Sequence, residues 1–261
     1  MDNLTEEKYW DEYWSGIKLP VLVDTKIQWQ LSLAKKFLSI IPQNSSLQLF
    51  EVGCAPGRWL VWFSKETGCK VSGCDTSPGG VRLTLENLRL NDVEATVYRK
   101  DLFSDDLPKH IFDIVISLGV IEHFNNPEKV VSCHLELLKP GGKLIIEVPN
   151  MAGQVNYRLL KMAKMDDLLS RHNLSIMNKD FFYLMAKRFN LKIEFLDYIG
   201  GFDPMMITKN SPYKKLWGRP FVLNVLKFAE ELFGLAPGFF LRFNSPFCSN
   251  MLFAVFAKSN E

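Results

Sequence analysis

The chain carries no Cys-x-x-Cys pair, no uninterrupted apolar run long enough to cross a bilayer, no basic stripe and no internal repeat, and each absence removes a class of protein. Five cysteines, Cys54, Cys69, Cys74, Cys133 and Cys248, form an odd set without metal-ligand spacing. That argues against a disulfide framework and a structural zinc site, and it fits a reducing compartment. Met1 to Glu12 is acidic and polar, where a secretory leader would be basic and then apolar. The expectation is a soluble, cytoplasmic protein. The formal net charge is only +2, with Lys and Arg spread along the chain. The electrostatic footprint of a nucleic-acid binder is therefore missing, and no nucleic-acid partner is expected.

What is present is an alternation. From Ser46 to Asn150, apolar runs of strand length alternate with amphipathic segments of helix length, the pattern of a parallel sheet with helices on both faces. The expected strands are Leu47 to Val52, Lys70 to Cys74, Ala95 to Tyr98, Phe112 to Ser117 and Lys143 to Val148. Ser77 before Pro78 and Asn126 before Pro127 mark two helix starts, each a capping residue followed by proline at the first helical position. Lys139, Pro140, Gly141 and Gly142 stop a helix and turn into the fifth strand. After Asn150 the pattern predicts helices over Gln154 to Leu169 and Asn178 to Phe189, and strands over Leu191 to Ile199 and Met251 to Ala257. At 261 residues this is read as one domain. Its parts are an N-terminal helical cap over 1–44, a cofactor-binding core over 45–150, and substrate-cap insertions over 150–180 and 200–247.

Glu51, Gly53, Cys54, Ala55 and Gly57 lie in E-V-G-C-A-P-G, between an apolar strand and an amphipathic helix. Small residues there let backbone approach a ligand at the carboxyl end of the first strand. A dinucleotide site would instead have G-x-G-x-x-G for a pyrophosphate. The preceding carboxylate, Glu51, suits a ligand with an amine and no phosphate. Asp75, with Thr76 beside it, ends the second strand, where an acid can accept from both hydroxyls of a ribose. Asp101 follows the third strand and is suited to accept from an adenine amine, with Leu102 and Phe103 available to cover the ring.

These residues, with F-D-I-V-I-S-L-G-V-I-E-H-F at 112–124, make the chain resemble the class I S-adenosylmethionine-dependent methyltransferases. The resemblance implies a Rossmann-like, seven-stranded sheet, mostly parallel and with its last strand antiparallel. It implies S-adenosylmethionine as cofactor, held by Glu51, the backbone of Gly53 through Gly57, Asp75 and Asp101, with Ser117 and Leu118 lining it after the fourth strand. Glu122 and His123 are similar to the second half of the E-x-x-E-H motif with which some O-methyltransferases bind a divalent metal. Here Gly119 stands where the first Glu would be, His172 is only loosely placed as the later histidine, and no metal is expected.

The reaction expected from this resemblance is methyl transfer to a small-molecule acceptor, apolar or aromatic, at a hydroxyl oxygen. His123, just past the fourth strand, is the expected general base. His172 is expected at the surface or on a lid, and His110 and His134 in structural or solvated positions. Two pairs at i and i+4, Tyr9 with Tyr13 and Trp10 with Trp14, give the N-terminus an aromatic helix face. The stretch from Tyr213 to Phe243, with Trp217, Phe221, Phe228, Phe233, Phe239 and Phe240, is read as a lid, a dimer surface, a weak interfacial membrane contact or an added core layer. A homodimer stays open on this reading. Two alternatives keep the architecture and change the function: an NAD-type oxidoreductase, and a non-catalytic cofactor-binding interaction module.

Overall fold

Runs of apolar residues covered on both faces become the central strands of the molecule. The computed structural model describes residues 3–202, 224–225, 227–228, 231–232 and 242–260. Seven strands form one sheet in the order β3-β2-β1-β4-β5-β7-β6. They are β1 (Gln48–Val52), β2 (Lys70–Asp75), β3 (Ala95–Arg99), β4 (Phe112–Leu118), β5 (Leu138–Pro149), β6 (Leu191–Ile199) and β7 (Met251–Lys258). The first five are parallel, and β7 runs antiparallel to both of its neighbours. The strand order reverses between β1 and β4, which opens a crevice at their carboxyl ends.

Eight helices are described: α1 (Glu7–Trp14), α2 (Gln28–Ile40), α3 (Arg58–Thr67), α4 (Pro78–Leu90), α5 (Pro127–Leu137), α6 (Gln154–Met162), α7 (Asp166–Ser170) and α8 (Lys179–Arg188). Because successive strand residues point to opposite faces, the sheet feeds two cores. Leu49, Ile116 and Val255 share one with Phe37 of α2 and Leu60 and Phe63 of α3. Phe50, Val115 and Ile146 share the other with Val131 of α5 and Phe182 of α8. Of the expected N-terminal cap, α2 is thus part of the core, and α1 lies over the crevice.

The two capping signals work as the sequence indicates. Ser77 Oγ accepts from Gly80 N at 2.8 Å, and Asn126 Oδ1 accepts from Lys129 N at 3.1 Å. Two expectations are corrected. The helix expected over Gln154 to Leu169 is broken into α6 and α7, because the chain passes through a left-handed conformation at Lys164 (φ 53°). The break lets Leu160, Met165 and Leu169 all point into the core. The turn at Lys139 to Gly142 lies inside β5, which starts at Leu138 and shifts register against β4 between Phe112 and Ile114.

Most of the aromatic stretch from Tyr213 to Phe243, including Trp217, Phe221, Phe233, Phe239 and Phe240, lies outside the described residues. The chain flanking it is stapled together. Asn150 Nδ2 donates to Pro246 O and Ser249 O, both at 3.0 Å, and Asn156 Nδ2 donates to Asn150 O and Ser249 O. Asn250 N donates to Gly201 O at 2.7 Å, and Gly201 N to Asn244 Oδ1 at 3.1 Å.

Phe37 is fully buried against Trp59, Trp62, Phe63 and Phe253, while its neighbour Leu38 is 48% exposed. Phe37→Ala is expected to lower unfolding free energy by about 3–5 kcal/mol. Leu38→Ala should change it by about 0.5 kcal/mol or less. Urea unfolding of the two variants checks this, and equal effects would remove Phe37 as the anchor of α2.

Candidate active site

The site begins where β1 ends and the chain turns into α3. Gly53 and Gly57 both have positive φ, at 71° and 82°, a conformation that disfavours any side chain. A Cβ on Gly53 would also lie 2.7 Å from Val120 Cγ2. At Gly57 the crowding comes from Thr84 of α4, at 3.0–3.3 Å, so this glycine lets α3 and α4 approach each other.

The turn is tied to β2. Gly53 N and Cys54 N both donate to Cys74 O, at 2.9 and 3.1 Å. Ala55 N donates to Asp75 Oδ2 at 3.2 Å, and Ser77 N donates to Asp75 Oδ1 at 2.9 Å. Asp75 is thus fixed from two sides and still has a lone pair on each oxygen for a ligand. Burial raises its carboxyl above the usual range despite those bonds. Burial, with the Asp75 charge adding to it, raises Glu51 much further. The Cys54 side chain points away from a reactive role: burial pushes its thiol well up, and its Cβ and Sγ fill the space beside Gly73.

These groups open onto a chamber of about 900 Å³. Glu51, Gly53, Cys54, Ala55, Asp75, Thr76, Asp101 and Leu118 all line it. Gly57, Leu102 and Ser117 are outside its wall. Gly57 packs helices, Leu102 joins the core with Cys74 and Leu107, and Ser117 is fully buried in β4. The ring-covering role expected of Leu102 has no support in this arrangement.

Helix α1 forms the roof. Trp10 stacks on Trp14 with centroids 6.4 Å apart, and Tyr9 lies 6.2 Å from Tyr13, so both expected pairs form. Tyr9, Trp10, Tyr13 and Trp14 all line the chamber. The roof is fastened by Asp11, whose Oδ1 accepts from Ser77 Oγ at 2.5 Å and from Gly79 N at 2.8 Å. Those bonds hold the Asp11 carboxyl below its usual range. At the other end Leu4 N donates to His123 O at 2.8 Å.

The lining continues beyond β4, the neighbour of β1 in the sheet. Gly119 (φ 67°) turns the chain into a single 3-10 turn, Ile121–His123. His123 is 7% exposed, and burial pushes its imidazole down to about 3. Its Nδ1 faces Arg171 O at 2.8 Å and acts as the donor, so Nε2 carries the lone pair. His172 is bound in the same way to Leu168 O at 2.7 Å, and its ring centre is 4.5 Å from that of His123. This corrects the expectation of a surface or lid histidine. His110 and His134 take structural positions, with Nδ1 on Leu138 O and Val130 O.

Glu122 Oε1 lies 3.9 Å from His123 Nε2. The distance is that of an ion pair, but burial drives the Glu122 carboxyl up and the His123 imidazole down, which disfavours the charged form of each. Glu147, on β5, adds to the shift of Glu122 and is itself pushed up to about 8 by burial. Ligand atoms of Glu122, His123 and His172 all lie within 4.8 Å of one another, a spacing that fits a metal ion. Gly119, where a further acid is missing, is beside them: a Cβ there would be 3.5 Å from Glu122 Oε1. Sequence reasoning missed Glu147 and Asp11. The signal for Glu147 was a lone acid near the carboxyl end of an otherwise apolar strand; for Asp11 it was an acid set among the aromatics of α1.

Known proteins share this architecture. The chain is 27% identical over 158 residues to the mitochondrial ubiquinone biosynthesis O-methyltransferase of Rattus norvegicus, which covers 58% of this chain and 45% of that protein. It spans less than half the length of such curated relatives. Among solved structures, Haemonchus contortus phosphoethanolamine N-methyltransferase 2 in complex with phosphomonomethylethanolamine and S-adenosylhomocysteine superposes with a TM-score of 0.60 at 20% identity, covering 87% of this chain and 52% of that one. Geranyl diphosphate C-methyltransferase from Streptomyces coelicolor A3(2) gives 0.60 at 12% identity, covering 97% and 98%. These two likenesses speak for the fold. The family model for the methyltransferase domain matches residues 26–195, and with the seven-stranded sheet and the acid-lined turn this means that the chain belongs to the class I S-adenosylmethionine-dependent methyltransferases.

Proposed function

We propose that the protein transfers a methyl group from S-adenosylmethionine to a hydroxyl oxygen of a small, apolar or aromatic acceptor. The observation that carries the reading is that one chamber is lined by Glu51, Asp75, Asp101 and His123 together. Bound S-adenosylmethionine supplies an electrophilic methyl group. On this reading Asp75 accepts from the ribose hydroxyls, Asp101 from the adenine amine and Glu51 from the amino group. His123 Nε2, left with the lone pair by the bond that Nδ1 makes to Arg171 O, would take the proton that the acceptor hydroxyl gives up. Glu122 Oε1, at 3.9 Å, faces the imidazolium that forms. Alignment and the exclusion of water under the aromatic roof supply the rest.

The convergence of Glu122, His123 and His172 supports a second reading, in which the three hold a divalent cation that orients the acceptor. Both imidazole Nδ1 atoms face backbone carbonyls, as ligating histidines require.

Calorimetric titration with S-adenosylhomocysteine should give micromolar binding, weakened about 10–100-fold in Asp75→Ala because charge-assisted hydrogen bonds are lost. Binding of NADH in its place would overturn the cofactor reading. In a methylation assay with the acceptor identified by screening, His123→Ala should lower kcat by about 10²–10⁴. Because the pKa of His123 is lowered, its neutral form persists as pH falls, so activity should show no loss near pH 6.5, the unshifted histidine value. An acid limb centred there would contradict the assignment. Full activity in EDTA is expected for the first reading; loss restored by a divalent cation would select the second.

A further inference from the structure

From Leu144 to Val148, β5 is apolar except at Glu147. That residue pairs with Leu118 of β4 on one side and Phe253 of β7 on the other, so it sits in the middle of the sheet, near the carboxyl end of its strand. It is 7% exposed and lines the chamber. Glu122, 1% exposed, lines the same chamber and feels the charge of Glu147. Glu122 Oε2 is buried with no hydrogen-bond partner. Among the described residues no lysine or arginine forms an ion pair with either acid, and the partner of Glu122 is His123, at 3.9 Å. A carboxylate withdrawn from water without a countercharge is costly, and an apolar side chain would serve the sheet better. Proton transfer to His123 does not use Glu147, and the cluster of Glu122, His123 and His172 leaves it out.

The same space is bordered by rings. Trp10 meets His123 edge-on with centroids 5.0 Å apart, and Trp10, Tyr13, Trp14 and Phe124 line the chamber. Ring faces and buried carboxyl groups select the same kind of ligand, an organic cation with an apolar body. An ammonium group brings the missing countercharge, and its N–H donors suit an oxygen such as Glu122 Oε2.

We propose that Glu147, with Glu122 beside it, binds a protonated amino group of the methyl acceptor, so that the acceptor is a small aromatic amine whose reacting hydroxyl lies elsewhere in the molecule. The proposal rests on the methyl-transfer reading above and narrows its acceptor. Glu147 becomes a specificity-determining residue, one that holds the acceptor by a group away from the reaction. The arrangement also selects the atom that is methylated. A protonated amine has no lone pair to offer a methyl group, so an amine held as its ammonium leaves the hydroxyl oxygen as the nucleophile.

The test is calorimetry on the full chain saturated with S-adenosylhomocysteine, in EDTA and near neutral pH. The probes are arylalkylamines from benzylamine to phenylbutylamine, each set beside the alcohol of the same length. At least one amine should bind about 10–100-fold more tightly than its alcohol, the worth of a charge-assisted hydrogen bond. Glu147→Gln should remove that preference and keep its affinity for S-adenosylhomocysteine, which shows that the variant is folded. Glu147→Asp should keep part of the preference. If no amine is preferred over its alcohol, the proposal is overturned, while binding of S-adenosylhomocysteine leaves the methyl-transfer reading standing. A preference that survives Glu147→Gln overturns the assignment to this residue. Should Glu147→Gln weaken S-adenosylmethionine but not S-adenosylhomocysteine, the carboxyl serves the sulfonium charge and the proposal is equally wrong. If S-adenosylhomocysteine itself does not bind, the cofactor reading fails and the proposal with it.

Discussion

One carboxylate holds the glycine turn, the second strand and the fourth helix together. Asp75 accepts from Ala55 N in the glycine turn and from Ser77 N at the start of α4, so it joins β1, β2 and α4 at a single point. The same helix start offers further donors. Ser77 Oγ and Gly79 N go to Asp11 on α1, which brings a second negative charge close enough to raise Asp75. The free N–H groups and the positive end of a helix macrodipole are what make two carboxylates tolerable there. Take away the helix start and the turn, Asp75 and the aromatic roof all lose their common support.

The part of the chamber beyond β4 is organised by a different force. Glu122 and Glu147 are buried in the same chamber as two imidazoles, with Glu122 Oε2 left without a partner. Low dielectric pushes these groups to their neutral forms rather than to an ion pair. Such a wall is poised: charge introduced by a ligand, a cation or a proton has several groups ready to respond. Perturbed titration of this kind clusters at functional sites, because only function compensates for leaving polar groups unpaired indoors.

Much of the fold was legible because its signals are local. Central parallel strands read as apolar runs, and Ser77 with Pro78 and Asn126 with Pro127 mark helix starts through capping chemistry alone. The break between α6 and α7 was not legible, since a left-handed Lys164 is imposed by the packing of residues on either side of it. At the site, Glu51, Asp75 and Asp101 could be read from their places after successive strands. Leu102 and Ser117 could not: Ser117 lies inside β4 and is fully buried there, and the direction of Leu102 depends on the turn that follows β3. The pairing of His123 with His172 needed α7, which brings together residues 49 positions apart in sequence and leaves no periodicity to detect.

The hydrogen-bonded staple of Asn150, Asn156, Ser249 and Gly201 has a consequence for how the molecule can diversify. It fixes the base from which the stretch after Phe202 departs and to which it returns, so the closure of that stretch is settled independently of its content. Loop-closure entropy grows only logarithmically, by about 0.6 kcal/mol per doubling in length. The intervening chain is therefore free to lengthen, shorten or change composition while the sheet and the chamber keep their geometry.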